Sequence, residues 1–299
     1  MNEYHIPVLL EECLAALTIK ADGTYVDVTF GGGGHSKKIL ERLGTAGNLV
    51  GFDQDEDAAQ NVPEDERFHF AHSNYKYLKR FLRLFGFKKV DGILADLGVS
   101  SHQLDIAERG FSFRFEADLD MRMNQQSEKT AIDILNTYSA EELQQVLGQY
   151  GEVRNAKTVA QRIVEERQRY TIKTSTQFLN IIGPLIRGQR NRYLAQVFQA
   201  LRIEVNDEIN SIHAFLEQAA EALNPGGRLV VISYHSLEDR VVKNFLKFGN
   251  FEGKPEKDFY GNLIKPFKML TRKPILPTAE EIKLNPKSRS AKLRIAEKI

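Results

Sequence analysis

Apolar residues along this chain switch repeatedly between a helical and an extended period. Val8, Leu9, Leu10, Cys13, Leu14 and Leu17 recur at helical spacing and predict a helix ahead of the first strand. Residues 25–30 are β-branched or aromatic apart from Asp27 and read as a buried strand. Gly31 to Gly34 follow, and a short helix carrying Ile39, Leu40 and Leu43 stops at Gly44. The pattern then repeats. Residues 48–52 predict a second strand, an acidic helix starts near Asp55, and residues 68–71 predict a third strand. Residues 75–85 predict a helix with Tyr77, Leu78, Phe81, Leu82 and Phe85 on its apolar side, and residues 90–97 a fourth strand. Strands joined through helical segments predict a parallel sheet with right-handed crossovers.

From about Arg109 to Asn206 the alternation stops and only helical spacing remains. Ser139 with Glu142 forms a capping box, and Leu143, Val146, Leu147 and Tyr150 follow at helical spacing. A long helix over 207–223, the breaker Asn224-Pro225-Gly226-Gly227 and a fifth strand over 228–234 restore the α/β pattern. Val241, Val242, Phe245, Leu246 and Phe248 mark another helix, and extended pieces over 268–271 and 292–295 complete the sheet. The predicted organisation is an α/β domain in two parts, 1–108 and 207–299, with an all-helical domain, 109–206, inserted between them. The 299 residues, 42% of them hydrophobic, suffice for one large core and a second, smaller one.

The glycine run is the first candidate site. Consecutive glycines let the backbone turn at positive φ and leave a surface that no side chain obstructs. The amide N–H groups of the following helix point back into that turn. Strand, glycine loop and helix make a Rossmann-type unit, which binds an adenosine-containing cofactor above the carboxyl ends of the strands. The run lacks the Gly-Lys-Ser/Thr ending of a P-loop, which argues against a triphosphate cradle. Asp53 ends the second strand about twenty residues after the glycines, where a carboxylate accepts both hydrogen bonds of a ribose diol. The other predicted strand ends are polar too: Ser73, Asn74 and Tyr75 after strand three, Asp96 with Ser100, Ser101, His102 and Gln103 after strand four, and Tyr234, His235 and Ser236 after strand five.

Composition and charge narrow the function. No stretch approaches the roughly 20 apolar residues of a membrane span, and residues 1–7 are polar without a signal-peptide pattern, so a cytoplasmic location is expected. Cys13 is the sole cysteine, which excludes internal disulfides, a multi-cysteine zinc site and zinc-deaminase chemistry. No ligand cluster indicates a metal. The formal net charge is only +1, but Arg154, Lys157, Arg162, Arg167, Arg169, Lys173, Arg187, Arg190, Arg192 and Arg202 cluster in the helical insert. Lys283, Lys287, Arg289, Lys292, Arg294 and Lys298 crowd the last stretch. Two basic regions on a balanced chain are a footprint for a phosphate backbone. A nicotinamide-dependent oxidoreductase accounts for the glycines and Asp53 but not for the basic insert. A non-catalytic RNA-binding module accounts for the insert but not for the polar strand ends. A methyltransferase using S-adenosylmethionine accounts for both.

Longer motifs make the comparison specific. Asp96-Leu97-Gly98-Val99-Ser100-Ser101-His102-Gln103-Leu104-Asp105, Glu108 to Phe113 and Leu119 to Met123 resemble the bacterial small-subunit ribosomal RNA cytosine-N4 methyltransferases, the RsmH or MraW type. So do Thr29-Phe30-Gly31 with Gly33-Gly34-His35-Ser36, Phe198 to Ile203, Ser233-Tyr234-His235-Ser236-Leu237-Glu238-Asp239-Arg240, and Asn285 to Ser290. The match runs from the N-terminal helix to the last strand. Departures are small: His102 stands where proline is usual, Tyr234 where phenylalanine is common, and Lys287 where arginine is usual. The resemblance implies a class I, Rossmann-like S-adenosylmethionine-dependent methyltransferase sheet carrying a helical substrate-recognition domain. It implies N4-methylation of one cytidine in the decoding region of 16S rRNA, within the small ribosomal subunit, by a monomer or homodimer with no membrane partner. Cofactor contacts are implied at Gly33, Gly34, His35, Asp53, Tyr75, Asp96 and Gln103, with Asp96 also catalytic.

Chemistry supports a role for Asp96 on separate grounds. A cytosine amine is a poor nucleophile because its lone pair is delocalised into the ring, and it becomes acidic only as the methyl transfers. Asp96 is expected to accept one amine hydrogen bond and a backbone carbonyl just after it the other, which aligns the lone pair. A bond to a charged acceptor contributes about 1.5 to 3 kcal/mol, roughly ten- to a hundredfold in rate when it acts in the transition state. Positioning of the reactants supplies most of the rest. The base has to leave its stack, so single-stranded or loop RNA is the expected substrate. Asp27 either orients the glycine loop or holds the cofactor's amino group, and His35 organises the loop. His235, Ser236 and Glu238 are read as lining the RNA side in preference to capping a helix. Phe111 and Phe113 are read as core, with base stacking open, and His5 and Cys13 as structural.

Overall fold

The structure is a computed structural model that describes residues 7–299. His5, read as structural, lies outside the described residues. The chain divides into two units, one made of Met1–Gly98 with Ile209–Ile299 and the other of Val99–Glu208.

The first unit is built on seven strands among the described residues: β1 Thr24–Asp27, β2 Asn48–Asp53, β3 Phe68–His72, β4 Val90–Asp96, β5 Leu223–Ser233, β6 Phe267–Met269 and β7 Lys292–Lys298. Their order is β3-β2-β1-β4-β5-β7-β6. The strands β1 to β5 run parallel, and β7 lies antiparallel between β5 and β6. Successive strands step outward from β1 to β3, and the chain then returns to the far side of β1 to lay down β4 and β5. The switch point therefore falls between β1 and β4, and a crevice at the carboxyl ends of neighbouring strands is the ligand position of such sheets. This is the Rossmann-like α/β sheet that the glycine run and the strand pattern predict.

The apolar runs are continuous because both faces of the sheet are covered. Alternate residues of β4 and β5 feed two cores. Leu94, Val230 and Ile232 join Leu9, Leu14, Leu17 and Ile39 on one side. Ile93, Ala95 and Val231 join Leu78, Leu82, Phe215 and Leu216 on the other. Gly92 is needed in β4 because a Cβ there would lie 2.8 Å from the ring of Tyr25.

Three local expectations are adjusted. Pairing of β1 stops at Asp27, although Val28 N–H still donates to Leu94 O and Phe30 N–H to Phe52 O as the chain turns away. The acidic helix is a 3₁₀ segment, Glu56–Asn61, with the Asp55 side chain capping Asp57 N–H. The Asn-Pro-Gly-Gly breaker does not precede β5 but is absorbed into it, where the register against β4 shifts between Val90 and Gly92.

The second unit is helical. Helices Ala131–Thr137, Ala140–Gln149, Ala156–Arg167, Ser175–Ile182 and Arg190–Asn206 bury Ile134, Leu143, Leu147, Ile163, Phe178 and Val197 in one core. Capping boxes start three of them, at Thr130 with Asp133, Ser139 with Glu142 and Thr174 with Gln177. The unit begins at Val99, not at residue 109, because Val99 and Leu104 pack against this helical core. Among the described residues no helix is long and apolar enough to cross a membrane.

Candidate active site

The network that shapes the strand ends starts from a buried acid. Asp27, only 1% exposed, closes β1. Its Oδ1 accepts from the Thr29 N–H at 3.1 Å and the Thr29 hydroxyl at 3.4 Å, and its Oδ2 accepts from the Ser36 hydroxyl at 2.8 Å. The Thr29 oxygen in turn accepts the Asp96 N–H at 2.7 Å. One carboxylate thus ties the helix Gly34–Leu40 and the end of β4 to the end of β1. Burial pushes the Asp27 carboxyl up, and the bonds from Ser36 and Thr29 oppose that. Of its two expected roles, this geometry gives Asp27 the orientation of the glycine loop.

The loop itself turns at positive φ at Gly31 (51°) and Gly33 (74°). Asp53 closes it from β2: Oδ2 accepts the Gly31 N–H at 2.8 Å and Oδ1 the Asp55 N–H at 2.9 Å. Each oxygen keeps a further lone pair for a ligand hydroxyl. A Cβ placed on Gly32 would meet nothing within 4 Å, so the loop presents bare backbone there. Gly34 has a different reason to be glycine, since a side chain would run into Pro7. His35 is buried, and its Nε2–H donates to Val8 O at 3.1 Å, tying the loop to the segment before the first helix.

The next strand ends lie alongside. Ser73 N–H donates to Asp53 O at 2.8 Å, and Asn74 Nδ2 donates to Gln54 Oε1 at 2.9 Å, so the tips of β2 and β3 are joined. Tyr75 begins a 3₁₀ turn, and its half-buried ring meets Phe215 edge-on at 5.5 Å.

Asp96 ends β4, half-buried, and its Oδ1 accepts the Tyr234 hydroxyl at 2.7 Å. Burial is the main reason its carboxyl is pushed up to about 6; Asp27 and Glu238 add to the rise, while His35 and the Tyr234 bond oppose it. Burial likewise raises Asp53 to about 6 against the bonds from Asp55 and Gly31. The Tyr234 hydroxyl had no signal in the sequence beyond its departure from phenylalanine, because it meets a carboxylate 138 positions away.

Gln103 belongs to the helical unit, where it is buried and forms a reciprocal capping box with Ser100 on the helix Ser101–Asp105. The RNA-lining reading of His235 and Glu238 is corrected. His235 caps the helix Ser236–Phe248 by accepting the Glu238 N–H, and fully buried Glu238 accepts the N–H groups of Tyr234 and His235. Ser236 is exposed. Phe111 is core, and Phe113 packs edge-on against Phe198 at 5.6 Å.

The basic footprint shrinks as well. Arg162 and Arg169 pair with buried Glu166, Arg167 holds the carbonyls of Leu135 and Tyr138, and Arg202 pairs with Glu208. Arg294 is buried against Asp239. Arg154, Lys157, Lys173, Arg187, Arg190 and Arg192 are exposed.

A family model described as the MraW methylase family matches residues 2–299. A protein of Parabacteroides distasonis named ribosomal RNA small subunit methyltransferase H is 57% identical over 298 residues, 99% of this chain and 98% of that one. A Flavobacterium johnsoniae protein of the same name is 56% identical over the same shares. Among solved structures, an rRNA methylase from Streptococcus thermophilus aligns with 96% of this chain and 93% of its own at 12% identity and a TM-score of 0.43, too distant a likeness to speak of function.

The raised carboxyls have a consequence for stability. In the folded chain Asp53 and Asp96 hold a proton up to about pH 6, against 3.8 as the ordinary value, so between these limits the folded state binds more protons and loses stability as pH rises. Asp96→Asn carries no charge to bury and is expected to melt at a higher temperature than the parent at about pH 7.5, the gain vanishing near pH 4. Thermal unfolding across that range checks this; a gain independent of pH contradicts it.

Proposed function

The chain belongs to the MraW methylase family, and from that premise we propose that it methylates the N4 amine of a flipped-out cytidine in the decoding region of 16S rRNA, in the cytoplasm. The methyl donor is S-adenosylmethionine, whose sulfonium supplies a methyl group to a correctly aligned lone pair. The names carried by the relatives, with their identity over nearly the whole chain, support the small-subunit RNA substrate. The observation that carries the amine chemistry is Asp96: an acidic side chain at the end of β4, beside the bare glycine loop of β1, held in place from Thr29 and Tyr234.

The residues present fit an adenosine-bearing donor. The open backbone at Gly32 and the remaining lone pairs of Asp53 suit a cofactor with a ribose diol. Gly33, Gly34 and His35 build the turn it lies against, Tyr75 covers its adenine, and Gln103 rests on the resemblance alone. Asp96 accepts one amine hydrogen, which aligns the nitrogen lone pair and stabilises the positive charge that develops on it. With a carboxyl near 6 it is ionised at neutral pH and is too weak a base to strip the amine before transfer. The exposed arginines of the segment 187–192 contact RNA phosphates.

Asp96→Ala is expected to keep the S-adenosylmethionine dissociation constant within about tenfold while abolishing methyl transfer to small-subunit RNA; unchanged turnover removes Asp96 from the mechanism. Asp53→Ala should weaken cofactor binding by about tenfold or more in calorimetry, where a nicotinamide cofactor run in parallel should give no heat. An unaltered constant contradicts the ribose role. Charge reversal at Arg187, Arg190 and Arg192 should raise the KM for RNA and flatten its salt dependence. If both stay as in the parent, that cluster is a solvated face.

A further inference from the structure

We propose that Tyr234 is a positioning residue for methyl transfer: its hydroxyl holds one oxygen of the Asp96 carboxylate, so that the other oxygen is the one presented to the nucleobase amine. The inference rests on Asp96 being the amine acceptor. Its geometric basis is the 2.7 Å bond from the Tyr234 hydroxyl to Asp96 Oδ1. The strands that carry the two residues are parallel neighbours, with Asp96 level with Ile232 and the Leu97 N–H donating to Ile232 O. Tyr234 is the first residue beyond β5, and its ring packs against the same apolar cluster as Ile232.

The phenol is fixed at both ends. Its backbone N–H donates to Glu238 Oε2 at 2.8 Å, and its half-buried ring packs against the apolar cluster containing Leu9, Leu94 and Ile232. Burial and the neighbouring acids push the phenol well above its ordinary range, so the hydroxyl keeps its proton and acts as the donor of this pair. A bond donated to the ionised form of a carboxyl stabilises that form. The other ionisable groups facing Asp96 are His35, which favours the charged carboxylate, and Asp27 and Glu238, which oppose it. Cys13 also faces Asp96, but burial holds it as the neutral thiol. Tyr234 is thus the neutral donor that both aims Asp96 and keeps it ionised toward lower pH.

Tyr234→Phe removes the hydroxyl and leaves the ring that packs the cluster. The expected result is a roughly three- to tenfold fall in kcat, less than the full effect of a bond to a charged acceptor because Tyr234 acts on the amine only through Asp96, with the KM for RNA and the S-adenosylmethionine dissociation constant unchanged. The acidic limb of the kcat profile should move up by about half to one pH unit, because Asp96 loses a donor to its charged form. A loss of packing alone would not move that limb. An unchanged kcat and an unchanged limb overturn the inference. Asp96→Ala assayed in parallel separates the two levels: retained turnover there sinks the acceptor reading beneath the inference, whereas lost turnover beside an unaffected Tyr234→Phe sinks the role of Tyr234 alone.

Discussion

The Asp27 carboxylate is the constraint on which the site depends. Burying an acid is unfavourable unless its lone pairs are matched, and here Thr29 and Ser36 match them. Each of those partners sits on a different piece of the site: Thr29 in the turn that leaves β1, Ser36 on the helix after the glycines. Thr29 passes the constraint on by accepting the Asp96 N–H. A single buried charge therefore sets the distance between a bare backbone loop and the acid at the neighbouring strand end.

The remaining acids follow the same logic in weaker form. Asp53 is held by two backbone N–H groups and Asp96 by one phenol, and both are raised by burial that these bonds only partly offset. Acids so placed reduce the stability of the folded chain at neutral pH, which is common where a side chain is kept ready for a ligand. Glu238 has the contrasting fate. It too is buried, but its Oε2 accepts the N–H groups of Tyr234 and His235 while its Oε1 lies 3.0 Å from His235 Nε2, so it helps set the start of a helix.

Much of the fold is legible in the residues because a sheet covered on both faces leaves continuous apolar runs, and capping boxes such as Ser139 with Glu142 announce helix starts. The parallel order around β1 and the separate helical core follow from where the alternation stops. The edges of that core do not: Val99 and Leu104 join it through packing that no local pattern records. In the site, the glycines and the acids at the strand ends are visible in the chain, but their partners are not. Tyr234 meets Asp96, and Asp27 meets Ser36, through side-chain geometry at long or irregular separation. The basic regions mislead for a related reason, since a cation count cannot separate Arg202, paired with Glu208, from an exposed residue such as Arg190.

The position of the transferred methyl tests the account most directly, because Asp96 is argued to steer an exocyclic amine and no other nucleophile. Small-subunit RNA incubated with the protein and methyl-labelled S-adenosylmethionine, digested to nucleosides and resolved by mass spectrometry, should carry its label in N4-methylcytidine. Label on a ring carbon or a ribose oxygen, or RNA that gains no label, would contradict it.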